Sequence, residues 1–579
     1  MRKIVWTAIA FVLGLTASAG AVEFGYPAGG EPWYFLKADI PPSAEMRAGL
    51  WTVSRVEVNG QWARDFVLFQ RGRELTGKDV QGDSPFEIKV RHGWRASTEY
   101  QIVLSLANAK TAQKISLSRT VRSPSGKGYW NPAWKNYLSL LVSEENGIER
   151  TALPVHATVG ILSSYLRTPN EIRVVKAEIK GDEVAYADIP CQIYEVKTWD
   201  DKKLLAAEEK DEKTGRPIIR YHPTTSLSLA FLADLKPRER ATYLVFYNNP
   251  AAPKPAAPAG LTVTGKGIGK TIENKFYKAV LHPKAGVLYE ITEKASRIKL
   301  EHKLETNGSI HWNPCVFAPP HAWYHTSDWE NPPFTEISGP LFYSIRIAAP
   351  IPAYKDVLSS VTYYFYAGTP FVRVETTIDI LNDLYVQALR NGEIVFNKKT
   401  FDKAAYKAGD GGTRVIDFAD TRMHPDHVIT LRPDTPWVTF YSESKGVAFA
   451  NLYLDLTMLN RDGGEASAQQ PFLYIQHGPW YYLARGLVYS FGTNNQTRML
   501  PVRRGSVYYE RNAFLPFALP KGQGVAATAD RYFNMLKYPV SVLESIETYL
   551  ESPEGWVVPI LTEPFEEGVK DAVGSPKKK

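Results

Sequence analysis

This chain is poor in cysteine, methionine and histidine: its 579 residues hold 2 Cys, 6 Met and 11 His. Cys191 and Cys315 can form at most one disulfide, so no disulfide framework holds the fold, and the two thiols make no metal site by themselves. Whether they pair stays open. After the N-terminus no apolar run is long enough to span a bilayer, so no membrane span is expected. A phosphate loop is missing too. GKGIGKT at 265–271 has Thr264 where the first glycine must stand, and the following IENKFYKAVL alternates like a strand. That argues against a nucleotide ligand. Helical periodicity is scarce, being credible only in AATADRYFNMLKYP and VSVLESIETYLESP near the C-terminus.

What is abundant is aromatic: 32 Tyr, 25 Phe and 14 Trp. Most of these rings suit cross-strand pairs in sheets, and a minority suit platforms for sugar rings. The formal net charge of +7 favours an anionic partner. The first 21 residues read as a secretory signal: Arg2 and Lys3, an apolar run from Ile4 to Thr16, then small residues at Ala17-Ser18-Ala19 or Ala19-Gly20-Ala21. The mature chain is therefore expected to be secreted or periplasmic. In that compartment an acidic polysaccharide is a better anionic partner than nucleic acid.

The organisation is mainly β and multi-domain. Residues 22–120 carry runs such as VSRVEVNG, RDFVLFQRG and TEYQIVLSLAN at about ten-residue spacing, which predicts a small N-terminal β-sandwich. Residues 151–248 predict a second β-domain. The Pro/Ala tract at 249–260 reads as an extended linker. Residues 261–518 contain strand-like runs throughout, more than one ordinary sandwich needs, and predict a large β-supersandwich. Short C-terminal helices are expected over 521–551.

Three stretches carry the resemblance to a known group: IENKFYKAVLHPKAGVLYEI, EVAYADIPCQIYEV and LSLAFLADLKPRERATYLVFY. They resemble the β-domain and large sandwich of supersandwich carbohydrate-active enzymes, the exo-rhamnogalacturonan lyase-like group and other polysaccharide lyases. The likeness covers about 150–515 and is architectural. It departs from those lyases in having no room for their helical toroid, and no catalytic residue is carried over from it. What it implies is an enzyme acting on polysaccharide.

The candidate chemistry concentrates in Asn307–Gly339. His311, His321 and His325 fall within fifteen residues, among Trp312, Trp323, Tyr324, Asp328 and Trp329. Frequent Pro and Gly predict a long loop, where binding and catalytic groups gather. His311, His325 and Asp328 are candidate ligands for a divalent metal such as Zn²⁺. β-Elimination on a uronate needs its carboxylate neutralised, the C5 proton removed and the leaving oxygen protonated. His311, His321, Tyr324 and His325 suit the proton transfers. Arg390, in LNDLYVQALRNGEIVF, suits a carboxylate clamp. His424 and His477 are further catalytic candidates, and Trp312, Trp323, Trp329, Trp480 and Tyr481 are candidate sugar platforms. Two other readings stay open: glycoside hydrolysis by loop carboxylates such as Asp328, Glu330 and Glu336, and a non-catalytic glycan-binding surface protein.

Overall fold

The computed structural model describes residues 35–46, 49–63, 66–71, 73–75, 77–91, 99–122, 130–131, 133–180, 183–199, 224–255, 260–301, 314–397, 399–420, 427–459, 470–475, 480–490, 499–519, 521–544, 549–551 and 557–559. The signal segment lies outside them, as do His311, Trp312, His424 and His477.

The chain is mainly β, in stacked antiparallel sheets. At the N-terminal end, strand Glu99–Asn108 alternates strictly, with Tyr100, Ile102, Leu104 and Leu106 buried between polar neighbours. Period two puts every second side chain on one face, so this strand buries one face and leaves the other wet. It pairs with Leu50–Val58 and Lys114–Arg122. The opposing sheet contributes Leu36, Leu68, Ile88 and Val90 to the same core.

Strand Asn136–Ser143 is buried at all eight positions. The reason is its place in a sheet covered on both sides. Tyr137, with Val175, Leu244 and Phe246, faces the N-terminal core. Leu138, Leu140 and Val142 face a three-stranded sheet built from Arg150–Leu162, Thr224–Leu235 and Cys191–Trp199. The first expected C-terminal helix forms as Val525–Lys537 and packs Val525, Ala529 and Met535 into the protein. The second does not form as a helix. Ser541–Glu544 and Tyr549–Glu551 are strands that pair with Asn136–Ser143. An open edge of buried backbone is satisfied better by β pairing than by a free helix, so tertiary context overrides local propensity there.

The large unit is a sandwich. A nine-stranded sheet runs Phe334–Ser338, Phe342–Ile351, Tyr354–Tyr366, Val372–Ile380, Val507–Ala518, Val447–Leu459, Trp437–Ser442, Lys403–Lys407, Thr413–Asp417. Opposite it, a six-stranded sheet runs Tyr324–His325, Cys315–Phe317, Ala388–Asn397, Trp480–Tyr489, Pro471–Ile475, His427–Thr430. Val361, Phe365, Val374 and Phe514 from the first meet Leu389, Ile394, Phe396 and Leu483 from the second. Phe396 alone touches Phe401, Phe440, Phe449 and Tyr481. Truncating such a residue to Ala costs about 3–5 kcal/mol. GKGIGKT is the turn between strands Thr262–Lys266 and Gly269–Glu273, with Gly267 at a φ of 56°. The glycines serve that hairpin. Cys191 and Cys315 are both free thiols.

Candidate active site on the small sheet

The site is built by an irregularity in strand Ala388–Asn397. Residues three apart on a regular strand face opposite sides. Here the register with Trp480–Tyr489 shifts between Leu389 and Arg390 and again between Asn391 and Ile394. Gly392, at a φ of 65°, makes the second shift feasible. Arg390 and Glu393 therefore share one face, with Nη1 of Arg390 3.5 Å from Oε2 of Glu393. Asn391 turns the other way, into the sandwich interior. There it donates to Thr376 Oγ1 at 2.6 Å and to Glu510 Oε2 at 2.6 Å.

Strand pairing sets the rest. Cys315 lies opposite Arg390 on one side and opposite His325 on the other. The three residues thus form a row across three strands on the outer face. Cys315 Sγ donates to Glu393 Oε2 at 3.4 Å. Cys315, His325 and Glu393 offer a sulfur, a ring nitrogen and a carboxylate oxygen, all within 4.8 Å of one another and all buried. These are the residues that could hold a metal. Asp328, expected as a ligand, instead accepts a hydrogen bond from the His325 backbone N–H at 2.8 Å, and its Oδ2 lies 3.5 Å from His325 Nδ1.

The Arg390 guanidinium sits in a box of rings. It lies 3.9 Å from the Trp323 centroid, 5.3 Å from Tyr489 and 5.6 Å from both Phe472 and Tyr482. Each such contact is a cation–π attraction that strengthens as water is excluded. Arg390 is only 7% exposed, and its Nε has no hydrogen-bond partner among the described residues. Burial works against its charge, but Tyr482, Glu393 and Tyr489 more than offset this and keep it firmly protonated. Burial, reinforced by Glu393, pushes the Cys315 thiol well up. Burial likewise pushes Tyr482 up, so this phenol holds its proton at neutral pH.

The remaining expected residues divide. Trp323 stands on this face, stacked on Phe317 at 4.7 Å and 9°. Tyr324 and His325 are neighbours in sequence but point apart, because strand alternation separates them. His325 faces the row, whereas Tyr324 packs against the sandwich core and against Tyr354. His321 is exposed, edge-on to Tyr354. Trp329 and Tyr481, expected as sugar platforms, are core residues. Trp329 donates from Nε1 to Pro350 O, and Tyr481 packs on Phe418 and Phe440. Trp480 opens its strand, and its side chain lies outside the described residues. Phe472 and Tyr489 were not expected at this face. Alternation in PFLYI and WYYLARGLVY could have flagged them, had the strands' face been known.

A cavity of about 490 Å³ lies between the three-stranded sheet and the outer face of the nine-stranded one, and of the loop carboxylates named above Glu336 lines it. Arg373, Glu375 and Thr377 form part of its floor, alternating with buried Val372, Val374 and Thr376. Arg373 lies 4.1 Å from the Tyr364 ring centroid. Glu195 and Glu336 stand in its walls. His156 bridges the Tyr194 and Tyr366 hydroxyls at 2.9 and 3.0 Å. Burial and the nearby Arg373 charge lower its pKa to about 4, so it is neutral there.

No protein-family model matches the chain, and no curated protein matches it. Solved structures similar to it include an alpha-mannosidase from Enterococcus faecalis, with TM-score 0.43 and 10% identity over 70% of this chain and 46% of that one. A glycosyl hydrolase family 38 protein from the same organism gives 0.43 and 9% over 70% and 47%. A galactose mutarotase-like protein from Lactobacillus casei gives 0.28 and 10% over 45% and 100%. The chain spans less than half the length of the first two. Likeness at this level assigns neither a reaction nor a residue.

Among the described residues no helix is long and apolar enough to cross a membrane.

Proposed function

We propose that this chain is a secreted enzyme that cleaves a uronate-containing polysaccharide by β-elimination on the outer face of the small sheet. The observation that carries this reading is Arg390. A buried guanidinium with an unpartnered Nε and a nearest carboxylate at 3.5 Å is suited to a planar anion. That separation is too long for a strong ion-pair hydrogen bond, so a substrate carboxylate has something to gain. The aromatic box would exclude water around it and present ring faces to a sugar.

The other two tasks fall to neighbours. His325 is the candidate base for the C5 proton. As that proton leaves, its electron pair forms the C4–C5 double bond and the C4–O bond breaks. Tyr482, which retains its proton, is the candidate donor to the departing oxygen. Arg390 would neutralise the carboxylate whose charge grows during proton removal.

The cavity between the three-stranded and nine-stranded sheets favours another reading, hydrolysis, because Glu195, Glu336 and Glu375 all line it. Incubation with polygalacturonate and alginate separates the two. Elimination gives an unsaturated product absorbing in the near ultraviolet, and hydrolysis gives reducing ends without it. Arg390→Lys should fold as the parent does and lose about 10²–10³-fold in kcat/KM, since an ammonium lacks the planar fork. Retention of elimination activity by Arg390→Lys, or loss confined to Glu375→Gln, would move the function to the cavity lined by Glu375.

A further inference from the structure

We infer that Cys315, His325 and Glu393 form a binding site for one Zn²⁺ ion on the outer face of the small sheet. This deepens the proposed function and rests on it for the ion's part in the reaction, while the binding itself stands on the donor geometry. Ligation would engage the His325 lone pair, so in the zinc form His325 would be a ligand and a water held at the ion would take the C5 proton in its place.

The three donors come from three adjacent strands, so a rigid sheet fixes their spacing. Zinc holds Cys sulfur at about 2.3 Å and His nitrogen or carboxylate oxygen at about 2.0–2.2 Å, which puts tetrahedral ligands roughly 3.3–3.8 Å apart. The donors here already lie within 4.8 Å of one another, so shifts on the order of 1 Å close the site. Side-chain rotation about χ1 and χ2 supplies that without moving backbone. It is the only group of this kind among the described residues. The donor set also selects the metal. Sulfur with imidazole favours Zn²⁺ over Mg²⁺ or Ca²⁺, which require oxygen ligands. Three protein ligands leave a fourth position open, the pattern of catalytic rather than structural zinc.

Binding is balanced by one proton. The Cys315 thiol, which donates to Glu393 in the metal-free chain, releases its proton to solvent as sulfur ligates the ion. Glu393 then turns from Arg390 to the metal. That frees the Nη1 edge of Arg390 for an anionic sugar. Metal and substrate carboxylate are therefore expected to bind cooperatively.

The test uses the full chain, stripped with a chelator and dialysed. Titration with Zn²⁺ followed by elemental analysis should read one zinc per chain. Co²⁺ in its place should give a thiolate-to-cobalt charge-transfer band in the near ultraviolet. Cys315→Ser should lose that band and weaken zinc binding by at least about 100-fold. Cys191→Ser should keep both, which controls for misfolding along with an unchanged circular dichroism spectrum. A chain that holds no zinc after dialysis, or a Cys315→Ser variant with full occupancy, overturns the site. If zinc fails to bind yet polygalacturonate cleavage still depends on Arg390, the metal site falls and the functional reading stands. If zinc binds and no polysaccharide is cleaved, the metal site stands and the functional reading falls.

Discussion

Among the described residues three Glu–Arg pairs are buried, and they are not alike. Glu144 and Arg150 are fully buried at 2.8 Å, and Glu144 also accepts from the backbone N–H groups of Asn146, Gly147, Ile148 and Arg238. Glu510 and Arg485 sit between the two sheets of the sandwich at 2.9 Å, with Asn391 completing the carboxylate's coordination. Arg390 and Glu393 are almost as buried, yet stand 3.5 Å apart, and the guanidinium lies among rings, with Glu393 and the Tyr489 hydroxyl as acceptors and Nε without one. A buried pair with close, multiple hydrogen bonds is a structural clasp. One whose arginine keeps an unused donor edge is poised for a third group. Adjacent residues on one strand, Arg390 and Asn391, supply one member to each kind.

The contrast can be broken at its strongest point first. Glu510→Ala leaves Arg485 as an uncompensated buried charge and strips Asn391 of an acceptor. It should cost about 3–5 kcal/mol, read as a lowered midpoint in denaturant titration. A loss below about 1 kcal/mol would remove the distinction between clasp and site.

Acid addresses the Glu144 clasp. Burial pushes this carboxyl up, but the Arg238 amide, Arg150 and the Asn146 and Ile148 amides overcome it and bring it to about 2 from 4.5. Because the folded value is the lower one, its stabilisation is present above pH 4.5 and fades as pH falls toward 2. The full effect is about 3 kcal/mol. Glu144→Gln should flatten the acid limb of a melting-temperature profile over that window, and an unaltered limb would count against the assignment.

The smallest effect belongs to the aromatic box. Trp323→Leu removes the closest ring from Arg390 while leaving the sheet intact. It should weaken binding of oligogalacturonate by up to about tenfold, roughly 1 kcal/mol, in a calorimetric titration. Unchanged affinity would mean that Trp323 serves packing against Phe317 and His325 and not ligand binding.

Much of the fold was legible because β structure writes its period into the chain. The alternation in TEYQIVLSLAN and FVRVETTIDIL predicts strands, and both are strands with the apolar set inward. VSVLESIETYLESP misled because its helix-like spacing says nothing of the edge of Asn136–Ser143 that it completes. The candidate site was legible in part. Arg390, Trp323 and His325 were each singled out, and the sheet brings them to one face. Tyr324, Trp329 and Tyr481 share the same composition but face the core, and residue type alone does not disclose a side chain's direction.

The sequence by itself determined that the chain is mainly β and short of cysteine, and that GKGIGKT is no phosphate loop. These follow from local periodicity and from residue chemistry. Only the tertiary structure decided that Cys315, His325, Arg390 and Glu393 lie together. They are separated by up to 78 residues, and their meeting depends on cross-strand register and on a shift at Gly392 that reverses the facing of one strand. A one-residue change of register exchanges the two faces of a strand, so the site is a property of the pairing and not of the motif.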